Sequence, residues 1–258
     1  MGGAVYRNWL DGRDIGFPEF YSRVRGGENA TTAAVSVGDF ETEMRKILSS
    51  GRDLLCVSFS SALSTTYQSA SIAAEELRTE FPEAEICVVD SLCASLGQGL
   101  LVWLCAQERK KGRSLAEVRD FAEAVKGRIC HWFTVDDLNH LKRGGRISAA
   151  TALFGTMLSI KPVMHVDDGG RLTPVGKTRG RRASLLALVN EMEKTAPDPE
   201  RQTVFISHGD CLADAEFVAE EIRRRFGTRD IHINYVGPVI GSHSGPGTVA
   251  LFFTGSPR

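Results

Sequence analysis

Leu54-Leu55-Cys56-Val57-Ser58-Phe59-Ser60-Ser61-Ala62-Leu63-Ser64-Thr65-Thr66-Tyr67 passes from an apolar run into a cluster of hydroxyls. A segment follows in which Ala70, Ala73, Ala74 and Leu77 recur at helical spacing. The run up to Phe59 has the length and the turn-bounded setting of a buried strand. The hydroxyls are therefore expected between the C-terminal end of a strand and the N-terminus of a helix, where unpaired backbone N–H groups and the helix dipole favour an anion. Ser and Thr are also favoured helix caps, so this stretch alone supports a capping role as well as a ligand-binding one.

A second junction of the same kind follows. Ile86-Cys87-Val88-Val89-Asp90 reads as a buried strand running into Ser91-Leu92-Cys93-Ala94-Ser95 and another helix. Strand–helix–strand units of this length give parallel strands, whose C-terminal ends share one sheet edge. Ligands of open α/β sheets bind at that edge, so Thr66 and Ser91 are expected to face one crevice.

Composition narrows the function classes. The chain has 258 residues, of which 42% are hydrophobic, enough for one large or two modest domains. A formal net charge of −1 gives no global field for nucleic acid or an anionic membrane. No stretch has the apolar length of a membrane span, and the N-terminus lacks a signal-peptide layout, so stable membrane insertion is not expected and a cytoplasmic location is. None of the six cysteines forms a zinc-type pair, and they read as small core residues in a reducing compartment.

From Phe40 to about Lys126 strands and helices alternate; a helix from Gly97 ends at Gly112, and Ser114 caps the next. Beyond a seam near Gly127 come six strand candidates: 129–136, 160–167, 171–177, 203–208, 230–237 and 248–254. Asp167-Asp168-Gly169-Gly170 is a strong hairpin signal, so the second sheet is partly antiparallel. The expectation is two domains: 1–127, a doubly wound parallel-sheet α/β/α domain, and 128–258, a mixed-sheet two-layer α/β domain.

Three further segments have two readings each. Gly237-Pro238-Val239-Ile240-Gly241-Ser242-His243-Ser244-Gly245-Pro246-Gly247 reads as a tightly constrained turn, with His243 either held by local hydrogen bonds or serving in binding or proton handling. Lys142 and Arg143 before Gly144-Gly145 look like a basic patch, but they also suit the C-terminal dipole of a helix. Arg179-Gly180-Arg181-Arg182 similarly starts a helix after a strand. The phosphate loop, dinucleotide fingerprint and nucleophile elbow motifs are missing from the sequence.

In this order, four stretches resemble the DegV family of bacterial fatty-acid-binding proteins: Ser60 to Ala70; Val89-Asp90-Ser91; Leu141 to Ser148 followed by Ile160-Lys161-Pro162; and Gly241 to Gly247. Asp11-Gly12-Arg13-Asp14-Ile15 with Phe20-Tyr21 fits the family's early region. The resemblance implies a two-domain fold holding a long-chain fatty acid such as palmitate, stearate or oleate, with no other cofactor and no metal. It implies a protein that is not itself an enzyme and presents the acid to a separate ATP-dependent fatty acid kinase, which makes an acyl phosphate for phospholipid synthesis. Matched to the family, Thr66 and Ser91 hold the carboxylate, while Arg179 and His243 belong to the same polar end. Ser64 in the hydroxyl motif and Thr32 near the head-group rim complete the candidate ligand set. The family's opening strand has no counterpart ahead of Met1-Gly2-Gly3-Ala4, so the first domain is expected to lack it, natively or through truncation. Thr32-Ala33-Ala34-Val35-Ser36 replaces a more polar family segment, and Thr65 stands where members have Gly.

The chemistry of a fatty acid suits these residues. Burying about a dozen methylenes yields on the order of 10 kcal/mol, against about 1.5–3 kcal/mol for each hydrogen bond to the charged head. Affinity should follow the tail and orientation the hydroxyls. The alternative is a small-molecule-modifying enzyme, a kinase or hydrolase, using the same crevice; a plain interaction module would bind no apolar ligand at all.

Overall fold

The computed structural model describes residues 1–147 and 160–256; Ser148, the last residue of the basic motif, lies outside them. It is an α/β protein with a parallel sheet and a mixed sheet. The chain divides into two compact units, Ala33–Ile129 with Asp168–Arg171, and Met1–Thr32 with Cys130–Asp167 and Leu172–Arg258.

The first unit is built on β1 (Leu54–Ser58) and β2 (Ile86–Asp90), paired in parallel from Leu54 opposite Ile86 to Ser58 opposite Asp90. Helices α2 (Val37–Leu48) and α3 (Thr66–Glu80) pack together on one face of the pair, over Leu54, Cys56, Ile86 and Val88. The expected periodicity of α3 is its buried face: Ala70, Ala73, Ala74 and Leu77 are all within 1% of full burial. Three alanines in that stripe let the helix lie close to α2 and the strands without a void. Side chains alternate along a strand, so the opposite face carries Leu55, Val57, Cys87 and Val89. Helices α4 (Ser95–Lys110) and α5 (Leu115–Val125) also pack on these strands. Ser114 starts α5 with a full capping box, its hydroxyl accepting from Glu117 N while Glu117 accepts from Ser114 N.

The second unit holds a six-stranded sheet. Its strands are β3 (Ile129–Thr134), β4 (Ile160–Val166), β5 (Leu172–Arg179), β6 (Thr203–His208), β7 (Asp230–Tyr235) and β8 (Val249–Thr254), in the order β5-β4-β3-β8-β6-β7. The β4–β5 pair is the expected antiparallel hairpin, β6–β8 is antiparallel and β6–β7 parallel. Leu185, Leu188, Val189 and Met192 of α7 (Arg181–Thr195) meet Ala215, Val218, Ala219 and Ile222 of α8 (Leu212–Phe226) over Val204, Ile206, Leu251 and Phe253 of the sheet.

Two expectations are revised. Residues 1–32, grouped above with the first domain, belong to the second unit. There α1 (Phe17–Arg25) seats Phe20 and Tyr21, and the fully buried Tyr21 hydroxyl donates to Val236 O at 2.6 Å. Glycine-rich Gly237–Gly247 is not a turn throughout. Pro238 occupies the first turn of a short helix, α9 (Pro238–Ser244), the position where a missing N–H costs nothing.

Candidate functional site

In the first unit, both hydroxyl segments leave the same edge of the parallel pair, and backbone bonds tie them together. Ser91 N donates to Ser58 O at 3.1 Å, and Ser60 N donates to Cys93 O at 3.0 Å. Asp90 binds both loops through one oxygen: its Oδ1 accepts from Ser61 N and Leu92 N, each at 3.1 Å. The loop after β2 is strained. Leu92 and Ser95 hold φ of 53° and 52°, a left-handed conformation that non-glycine residues adopt only when their surroundings impose it. Gly170 closes the edge from the hairpin turn. Its carbonyl accepts from Ser60 Oγ at 2.9 Å, and a methyl group there would overlap that same oxygen.

The hydroxyls divide between capping and availability. Ser64 Oγ accepts from Thr66 N at 3.2 Å and so caps the start of α3, whereas Thr65 makes no side-chain cap bond. Thr66 is half-buried, and its Oγ1 bonds Ser64 Oγ at 2.8 Å. Ser91 is fully buried. Its oxygen accepts from Cys93 N at 3.0 Å, but among the described residues its O–H meets only the Cys93 carbonyl, at 3.5 Å, the outer limit of a hydrogen bond. Its proton is therefore weakly engaged. Ser58, which the sequence reading passed over, is 3% exposed, and its Oγ has no partner among the described residues. A small polar residue closing an apolar strand was the only available signal.

The second unit assembles a different polar cleft, of about 480 Å³, between residues far apart in sequence. Thr32 and His243 meet here, Thr32 Oγ1 lying 2.8 Å from His243 Nε2. The other ring nitrogen, Nδ1, is shut from water without a partner among the described residues. It lies over Gly144, where a methyl group would overlap it. Gly144 itself has φ −70°, a conformation open to any residue, so this glycine answers to the space His243 needs. The next residue, Gly145, at φ 70°, is the one that turns the chain out of α6 (Asn139–Arg143). Burial, and then the Arg146 charge, lower the His243 pKa from its ordinary 6.5. Burial, and then Arg143, lower that of His140.

Arg179, grouped above with His243, ends β5 as an exposed side chain and does not line this cleft. The arginines that do are Arg143, which the sequence assigns with Lys142 to a helix end, and Arg146. Among the described residues no group of His, Cys, Asp and Glu is placed to hold a metal ion, and no helix is long and apolar enough to cross a membrane.

The DegV family model, described as "Uncharacterised protein, DegV family", matches residues 1–255. A DegV domain-containing protein of Clostridium perfringens (strain 13 / Type A) is 47% identical over 239 residues, which are 93% of this chain and 82% of that protein. Among solved structures, a fatty-acid-binding DegV family protein from Thermus thermophilus matches with a TM-score of 0.85 at 31% identity, over 98% of this chain and 88% of its own. A DegV lipid-binding protein from Thermotoga maritima matches at 0.83 and 28% identity, over 94% and 83% of the two chains. Sequence and fold thus agree along nearly the whole length, and the chain belongs to the DegV family.

Proposed function

We propose that this protein binds a long-chain fatty acid, with the carboxylate held by the hydroxyls of Thr66 and Ser91, and presents it in the cytoplasm to a separate ATP-dependent kinase for acyl-phosphate formation. The observation that carries the reading is the edge of the parallel pair. Two hydroxyl loops are clamped together there by Asp90, Thr66 opens a helix, and Ser91 keeps a weakly engaged proton. An ionised carboxylate takes such donors in bonds of about 1.5–3 kcal/mol each, while the tail supplies most of the affinity. Fatty-acid binding by the Thermus thermophilus relative, at 31% identity, supports the same ligand class here. The hydrolase alternative needs a base on Ser91, whose described hydroxyl bonds go to the Cys93 backbone.

Mass spectrometry of organic extracts of the purified protein should show a fatty acid of sixteen or more carbons, at about one per chain. Calorimetry on delipidated protein should show saturable binding of palmitate or oleate. Neither signal would end the proposal. Protein with ATP alone should make no acyl phosphate, and turnover by the isolated chain would favour the enzyme instead.

A further inference from the structure

Ser58 closes β1 and is 3% exposed, and among the described residues its Oγ has no hydrogen-bond partner. Side chains alternate along a strand, and Leu54 and Cys56 face α2 and α3, so Ser58 points to the same side. Only Phe59 to Thr65 separate β1 from α3, and α3 must run back antiparallel to lead into the parallel strand β2. Its first turn, with Thr66, therefore lies over the Ser58 end of β1. On the edge itself, Ser58 O accepts from Ser91 N at 3.1 Å, so this residue sits at the root of both hydroxyl loops. We propose that Ser58 is a third donor to the carboxylate of the bound acid, and the residue that makes this site prefer an ionised acid to its neutral ester.

The role rests on the fatty-acid reading above and extends it to a residue inside the strand. A buried hydroxyl with nothing to meet is less favourable than a methyl group in the same place, so Ser58 does not serve the lipid-free fold. An ionised carboxylate offers about four lone-pair positions, so Thr66 and Ser91 leave room for a further donor. Helix geometry helps on the same side: the N–H groups of a first turn have no intrahelical acceptor, and Ser64 Oγ takes that of Thr66. Ser58 thus destabilises the empty site and stabilises the filled one, and both differences add to affinity for the acid. An ester carries no charge and accepts a much weaker bond, so little of this difference reaches it.

The test compares delipidated full-length protein with Ser58→Ala and Ser58→Cys, the second keeping nearly the size of serine but only a weak donor. Calorimetry should show both variants binding palmitate about tenfold more weakly, and methyl palmitate within a factor of about two. The preference for acid over ester should therefore fall by close to the same factor. Lipid-free Ser58→Ala should melt at or above the wild-type temperature, whereas loss of a bonded hydroxyl, as in Ser114→Ala, lowers it. An acid-to-ester preference unchanged in both variants, or a lower melting temperature for lipid-free Ser58→Ala, would overturn the role of Ser58. The fatty-acid reading survives that result if Ser91→Ala still weakens palmitate binding. Wild-type protein that binds no palmitate overturns the reading itself, and the role of Ser58 with it.

Discussion

The edge of the parallel pair and the His243 cleft are both polar sites, yet they are built in opposite ways. At the edge, Ser58 to Thr66 and Asp90 to Ser95 come directly off adjacent strands, and pairing Ser58 with Asp90 brings the loops together. In the cleft, Thr32, Gly144 and His243 are drawn from segments about a hundred residues apart, and only packing unites them. The edge is tied by strand pairing, backbone bonds and the Asp90 carboxylate, so its hydroxyl side chains can be removed with the loops still tied. The cleft is held by side-chain fit, so volume changes should spread through it. Each region can therefore be tested by the kind of change the other should tolerate.

The largest effect is expected at Asp90. Its Oδ1 accepts two backbone N–H groups, so Asp90→Ala strands both and should cost about 2–4 kcal/mol, lowering Tm by roughly 5–12 °C. Fatty-acid retention should fall with it. Asp90→Asn keeps a carbonyl oxygen at the same place and should cost less than about 1 kcal/mol. Equal melting temperatures for the two variants would mean the clamp is not what holds the edge.

Next in size are the hydroxyls themselves. Ser91→Ala and Thr66→Ala should each weaken fatty-acid binding by about 1–3 kcal/mol, one to two decades in Kd. A methyl ester of the same chain length should be much less affected. Parallel losses for acid and ester, read by calorimetry, would assign both residues to the fold. Ser64→Ala should lower stability by about 1 kcal/mol, as loss of a helix cap does, and change the acid-to-ester ratio little.

Gly144→Ala tests the cleft in its own terms. The backbone there accepts alanine, so the cost comes from the collision with His243, about 1–3 kcal/mol as in overpacked cores. The His243 ring should leave Thr32, visible as a changed imidazole signal, while fatty-acid binding at the edge stays within a factor of two or so. A simultaneous loss of lipid would erase the distinction between the regions.

How much of this was legible follows the same division. The buried stripe of α3, the Ser114 capping box and the β4–β5 hairpin are local patterns, readable from spacing and turn residues. So were the two hydroxyl segments, because strand ends announce themselves. The roles of Arg143, Arg146 and Gly144 could not be read locally, since their meaning lies in His243 about a hundred residues on. The misreading of Gly237–Gly247 as turn has the same origin. Gly241, inside the helix, lies against Tyr21, and Gly245, which ends it at φ 78°, lies against His140, so both serve close packing. Residues 1–32 carry no periodicity that says which sheet they join; the bond from Tyr21 to Val236 decides it.

The smallest expected effect is a pH dependence that belongs to the second unit alone. Burial lowers the pKa of His140, His208 and His243 below the ordinary 6.5, all three being in that unit. Below pH 6.5 the unfolded chain therefore takes up protons that the folded chain resists, and stability must fall as pH falls. The loss begins near pH 6.5 and ends once the pH passes below the folded values. It starts ahead of the window of carboxylates such as Glu28 and Glu80, whose pKa values their arginine partners hold below the ordinary 4.5. Thermal melts between pH 7.5 and 5 should show the decline, and His243→Gln should flatten part of it. The edge of the parallel pair has no histidine, so hydrogen exchange at Ser61 and Leu92 should follow pH only through the intrinsic exchange rate. Stability that stays flat across this range, or a pH-dependent opening of the edge before the cleft, would show that the imidazoles are better solvated than their burial implies.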